Sequence, residues 1–203
     1  MRELVSNTAA SFEAQVEEQE VLTRAEIVEQ YGSKLEGNPS VYCGTYGKYN
    51  GGSIDGAWLD LTKFSDYDEF MDICRQLHAD EDDPEFMYQD FECFPRRWYC
   101  ESCMGEDTFD KIFEFANLDE DEQEAFEDFL AWSSDEDMDR FHDAYQGKWD
   151  SEEDFAEYIV SECYDLDNMM GSLSFYFDYE KFARDLFMCD YYFGDHGHVF
   201  RAC

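Results

Sequence analysis

Apolar and polar positions change their spacing several times along the chain, and each change predicts an element. Thr23 with Glu26 is spaced as a capping box, and Ile27, Val28 and Tyr31 follow as a short amphipathic face that Gly32 ends. Gly37, Asn38 and Pro39 read as a linker. Residues 41–46 are β-rich, residues 48–53 supply turn types, and residues 54–61 carry Trp58, Leu59 and Leu61, so this stretch predicts a hairpin. Ser65 then caps a helix with Phe70, Ile73, Cys74 and Leu77 on one face and Asp68 and Asp72 turned away from it. After the acidic turn at 80–84, residues 86–94 alternate as a returning strand.

From Thr108 the period becomes helical. Phe109, Ile112, Phe113 and Ala116 form one stripe, Phe126, Phe129 and Leu130 a second, and Met138, Phe141 and Tyr145 a third that Gly147 stops. Asp119 with Glu122, Ser134 with Asp137, and Ser151 with Asp154 resemble helix start signals. Short connections between the stripes predict a compact helical bundle. Beyond it, residues 172–178 read as a strand and residues 179–188 as a helix with Phe182, Ala183 and Leu186 inward. Residues 191–193 and 199–200 read as a hairpin turned at 194–197. The fold class that follows is α+β, elongated, with small antiparallel-sheet subdomains flanking a central helical bundle. Its divisions are an N-terminal extension at 1–40, helical or partly disordered, an α+β subdomain at 41–100, an acidic helical subdomain at 101–165 and a second α+β subdomain at 166–203.

Charge changes this picture more than composition does. Hydrophobic residues make up 44% and aromatics 18% of the 203 residues, enough for a real core, yet 51 Asp and Glu against 14 Lys and Arg give a net charge of −37. The acid is uneven: about −5 over residues 1–38, zero over 39–63 and −32 over 64–203. A disordered acidic tail would lack the aromatics, and an ordinary amphipathic helix would interleave bases with its acids. A salt-adapted protein is expected to spread its acid evenly, and helices gain from charge complementarity at their ends, whereas these stay acidic at both. The carboxylates opposite the apolar stripes are Glu120, Asp121, Glu124, Asp128, Glu136, Asp139, Asp143, Glu153 and Glu157, joined by Asp68 and Asp72 on the earlier helix. Such a surface repels nucleic acid and anionic membranes and attracts basic clefts. At one charge per ~1.7 Å of duplex axis, −37 corresponds to roughly 60 Å of DNA.

Candidate chemistry is sparse. Asp135, Asp137 and Asp139 match the first ligand positions of a calcium loop, but Arg140 stands where Gly is needed and Gln146 where a bidentate Glu belongs. Cys100 and Cys103, with Cys93 nearby, suit zinc or redox exchange but lack a partner Cys or His pair at zinc-finger spacing. His196 and His198 beside Cys189 and Asp195 are a looser metal alternative. The eight cysteines show no repeating framework and read mostly as buried small hydrophobes of a reducing compartment. Arg24 and Lys34 are too few to make the first helix a nucleic-acid reader. No phosphate loop, nucleophile elbow or Cys-His signature is present, so no catalytic residue, cofactor or metal is assigned. No signal or membrane-spanning run is evident, which places the protein in the cytoplasm.

Five blocks in order carry a resemblance. They are residues 41–50 (VYCGTYGKYN), 56–61 (GAWLDL), 83–92 (DPEFMYQDFE), 145–156 (YQGKWDSEEDFA) and 177–186 (FDYEKFARDL), and they resemble the ArdA antirestriction family from about Val41 to the C-terminal region. The resemblance implies an elongated, dimeric DNA mimic, carried on plasmids or other mobile elements, that occupies the DNA groove of type I restriction and modification enzymes. On that reading the carboxylates named above stand in collectively for phosphates, with no nucleic acid bound by the protein itself. The alternatives are an acidic interaction module or chaperone for basic proteins, and a divalent-ion buffer.

Overall fold

A computed structural model describes residues 21–202. The run at 41–46 becomes β1 (Ser40–Thr45), and its near-continuous burial follows from its place in the middle of a three-stranded sheet. It pairs antiparallel with β2 (Ala57–Asp60), with Val41 opposite Leu59, and with β3 (Phe86–Glu92), with Val41 opposite Phe91. The predicted hairpin is present, but its connection holds a short helix, α2 (Tyr46–Asn50), where the residues suggested only a turn. Thr45 caps α2 by accepting from the Lys48 amide at 3.2 Å. Helix α3 (Tyr67–Leu77) buries the four expected residues, although its cap is Asp66 rather than Ser65. Asp66 accepts from the Glu69 amide at 2.8 Å, and Glu69 reaches back to the Ser65 amide at 2.8 Å.

The described part of the segment before β1, residues 21–39, packs on this unit, and residues 37–39 are not a free linker. The segment's first twenty residues lie outside the described residues, but helix α1 (Arg24–Gln30) starts on the expected Thr23–Glu26 capping box and buries Ile27 completely. Val28, read as part of the inward face, is 48% exposed, because only Ile27 and half-buried Tyr31 meet the sheet. Past α1 the chain lies along the outer edge of β2. Gly32 bridges Leu59, the Ser33 amide donates to the Trp58 carbonyl at 3.0 Å and the Asp60 amide donates to the Tyr31 carbonyl at 2.9 Å. Arg24 fastens the helix to Asp55 and to the Gly56 carbonyl, both at 2.7 Å. Pro39 is buried and its carbonyl accepts from the Leu61 amide at 2.8 Å.

Helix α4 (Glu106–Ala116) lays Phe109 against Phe70, ring centroids 4.4 Å apart, so it packs on α3. Phe115, on the other side of α4, meets Trp98 and Phe126, which carries the apolar interior onward into α5 (Glu120–Trp132). Helix α6 (Met138–Ala144) is capped by Asp137, not Ser134, and stops before Tyr145. There the chain becomes β4 (Tyr145–Lys148) instead of running helically to Gly147, because the later strand at His198–Arg201 offers it a partner. Gly147 sits at φ +96 in the irregular part of that pairing, a conformation Gly takes without steric cost.

The second sheet has the order β4-β6-β5, with β5 (Tyr191–Phe193) and β6 (His198–Arg201) forming the predicted hairpin. Phe200 of β6 is buried against Phe129, Phe141 and Tyr145. Helix α7 (Glu152–Cys163), capped by Ser151 as expected, packs on α9 (Tyr179–Cys189), and Phe155 lies against Phe187 and Tyr191. The predicted strand at 172–178 is absent. Residues 171–176 form a 3₁₀ turn after α8 (Leu166–Met170), with no strand alongside to pair with and Gly171 at φ +58 redirecting the chain. The fold is thus α+β, two small antiparallel three-stranded sheets with helices between and around them. One hydrophobic cluster runs from Ile27 to Phe200.

Candidate partner-binding surface

The eleven carboxylates read as outward fall into three groups. Asp68, Glu120, Asp139, Asp143, Glu153 and Glu157 are exposed, and no ion pair engages them among the described residues. They stand on α3, α5, α6 and α7, opposite the buried stripes of those helices, and the i, i+4 pairs Asp139/Asp143 on α6 and Glu153/Glu157 on α7 each rise about 6 Å along their helix. Further exposed acids lie on α4, at Asp107, Asp110 and Glu114, and at Glu127 on α5. The same helical spacing that picked out the others marks these, opposite Phe109, Ile112 and Phe113.

A second group is held by cations. Asp72 pairs with Arg75, and Glu136 meets Lys111 at 2.8 Å and Arg97 at 3.9 Å. Glu124 takes Lys148 at 2.6 Å, and the same ammonium lies 3.9 Å from Asp121. These contacts carry an electrostatic signature. The hydrogen bond from Lys111 holds the Glu136 carboxyl below its usual range. Those from Lys148 and then His198 do the same for Glu124. The Glu124 carboxylate in turn raises the Lys148 ammonium.

The third group is Asp128 alone. It is buried, not outward, because the turn between β5 and β6 folds over this face of α5. Its carboxylate accepts from His196 in that turn, and any side chain at Gly194 would collide with it. Asp128 therefore fastens the second sheet to α5 and is removed from the set of partner-facing acids.

The metal alternatives meet specific obstacles. Asp137 is the α6 cap, and Asp135 accepts from the Asp137 amide and pairs with Arg140 at 3.6 Å, so the failed calcium loop is a helix start. Cys100 and Cys103 are joined as a disulfide. His196 and His198 are turned to Asp128 and Glu124. A further cluster, His78 with Asp80 and Glu81, surrounds the Lys48 ammonium, at 3.0 Å from His78 Nδ1, 2.9 Å from Asp80 and 3.8 Å from Glu81. The protein's own cation fills it, and the Lys48 hydrogen bond lowers the Asp80 carboxyl.

The cysteines divide otherwise than composition suggested. Only Cys43 and Cys74 are buried among the described free thiols, while Cys93, Cys163 and Cys189 are exposed. An open groove of about 910 Å³ lies where α7, α8 and α9 meet and is lined in part by Tyr164, Leu166, Phe175 and Tyr179. Beside it Met169, Leu173, Phe175 and Tyr176 stand 68%, 59%, 91% and 82% exposed, an apolar patch on a highly charged chain. No helix among the described residues is long and apolar enough to cross a membrane.

Compared with known proteins, the chain matches the family model of the antirestriction protein ArdA over residues 41–200. No curated protein matches it.

Proposed function

Because the chain belongs to the ArdA family of antirestriction proteins, we propose that it acts as a DNA mimic, laying its carboxylates along the DNA-binding groove of a type I restriction-modification enzyme. The observation that carries this reading is the set of outward acids that no ion pair engages among the described residues, Glu120 on α5, Asp139 and Asp143 on α6, and Glu153 and Glu157 on α7. They offer a basic cleft what phosphates offer it, charge at short and regular intervals on a rigid support. Each contributes modestly, so the surface acts collectively. No catalytic step is required: occupying the groove excludes the substrate.

The same reading makes the protein cytoplasmic and a passenger of plasmids or other mobile elements, protecting incoming DNA during conjugation. It also makes the protein a homodimer. The exposed Met169, Leu173, Phe175 and Tyr176 support this, since an apolar patch on so soluble a surface is commonly covered by a partner.

The test is a titration into a purified type I enzyme with ATP and unmodified DNA, following cleavage at two salt concentrations. Inhibition near stoichiometric amounts that weakens with salt, with no DNA bound by the protein itself, is the expected result. Absence of inhibition across several enzymes, with binding to unrelated basic proteins, would transfer the surface to a chaperone or general acidic module.

A further inference from the structure

Beneath α3 two thiols face each other. Cys43 Sγ, from the middle of β1, lies 3.5 Å from Cys74 Sγ, from the inner face of α3, and both residues are fully buried. Sulfur atoms at this separation are in van der Waals contact but unbonded, and a small adjustment would bring them to bonding distance. The surroundings are unusual for a core. His78, the residue that closes α3, is also fully buried, with Nε2 3.3 Å from the Cys43 carbonyl and Nδ1 3.0 Å from the Lys48 ammonium.

We propose that Cys43 and Cys74 are a modification site, a dithiol that peroxide converts to an internal disulfide joining β1 to α3.

The two sulfurs have distinct roles. Cys43 is the attacking thiol: the hydrogen bond from Cys74 lowers its titration most, and His78 and Lys48 lower it further, against the opposing effect of burial. Cys74 is the resolving thiol, kept protonated by its burial and by its neighbour. The Cys43 thiolate attacks one oxygen of hydrogen peroxide, the O–O bond breaks, and the departing hydroxide takes up the proton that Cys43 released. This leaves a sulfenic acid and one water. Cys74 sulfur then attacks the sulfenic sulfur, the S–O bond breaks, and the hydroxyl leaves with the Cys74 proton as a second water. Two thiols and one peroxide give one disulfide and two waters. Peroxide is small enough to reach a buried pair through modest breathing of α3, whereas bulky disulfides are not. The product closes a loop of 31 residues and pins the helix that carries Asp68 and Asp72.

The experiment treats the full chain, first reduced and then freed of reductant, with hydrogen peroxide, and maps cross-linked peptides without reduction. The expected product is a Cys43–Cys74 linked peptide, two hydrogens lighter than the sum of its parts and restored by dithiothreitol, with a Tm about 10 °C above that of the reduced protein. In Cys74→Ser a sulfenic acid accumulates on Cys43 and is trapped by dimedone, whereas in Cys43→Ser Cys74 is not trapped. The proposal is overturned if the exposed Cys93, Cys163 and Cys189 oxidise while Cys43 and Cys74 stay alkylatable after denaturation. It is equally overturned if Cys43 pairs with any cysteine other than Cys74. The mapping on the unsubstituted chain decides the matter even where a serine variant fails to fold.

Discussion

Asp128 on α5 accepts two hydrogen bonds from one residue of the β5–β6 turn, from the His196 amide at 3.0 Å and from His196 Nδ1 at 2.8 Å. The carboxylate is buried while the imidazole is half exposed, so the pair works as a latch at the rim of the core. Replacing Asp128 with Ala should destabilise the protein by about 1–3 kcal/mol, since the His196 amide and imidazole both lose their acceptor. Gly194→Ala should act in the same direction, because its Cβ would collide with the Asp128 carboxylate. Chemical denaturation of both variants checks this, and unchanged midpoints would remove the latch.

The same pair sets a pH dependence. The hydrogen bond and charge of Asp128 raise the His196 titration above its ordinary value of 6.5. A group whose folded value is raised contributes stability that is complete below the unfolded value and is lost as pH rises through the folded one. Tm should therefore fall as pH rises from about 6.5 through the folded value of His196, and His196→Gln should flatten that limb. On the acid side, Glu136 has the opposite sign: its lowered carboxyl contributes above the unfolded value and loses that contribution as pH falls through the folded one.

Charge removal should separate collective from individual action. Changing Glu120, Asp139, Asp143, Glu153 and Glu157 together to their amides should weaken inhibition of a type I enzyme by about tenfold or more and reduce its dependence on salt. Any one of these changes alone should cost about twofold or less. A single change that abolished inhibition in a folded protein would replace the distributed surface with a discrete contact.

Residues 21–39 should prove necessary to the first sheet although they precede the family match. Ile27→Ala empties a fully buried position and should cost about 2–4 kcal/mol. Removing residues 1–38 uncovers the β2 edge held by Gly32, Ser33 and Tyr31 and should lower Tm further while promoting self-association. Thermal melts and light scattering of the shortened chain measure both effects.

The legible parts of this fold are those fixed by neighbours in sequence. The Thr23–Glu26 and Asp119–Glu122 capping boxes, the burial of Phe70, Ile73, Cys74 and Leu77, and the hairpin at 191–201 all depend on residues within a few positions of one another. What escaped depends on distant partners. Residues 145–148 continue the helical period of Phe141, and only the arrival of β6, some fifty residues later, makes them a strand. Asp128 fits the outward row by spacing, yet the turn that covers it is 68 positions away. Residues 171–176 have strand-like composition without a strand beside them. For the surface, spacing separated outward from inward on most helices. It had no means of finding which acids a distant Lys111 or Lys148 would occupy.

Those occupied acids bear on how such a surface releases energy. DNA is neutralised by mobile cations that leave when a protein binds, and their release drives much of the affinity. Lys148 at Glu124 and Lys111 at Glu136 are cations on covalent tethers, and they cannot depart into solution. Wherever one sits, the surface forfeits both a site for the partner's arginine or lysine and the entropy of an ion set free. On the proposed mimicry the tethered pairs are blanks in a sequence of charges, and the free acids between them would set the register in which a basic groove engages.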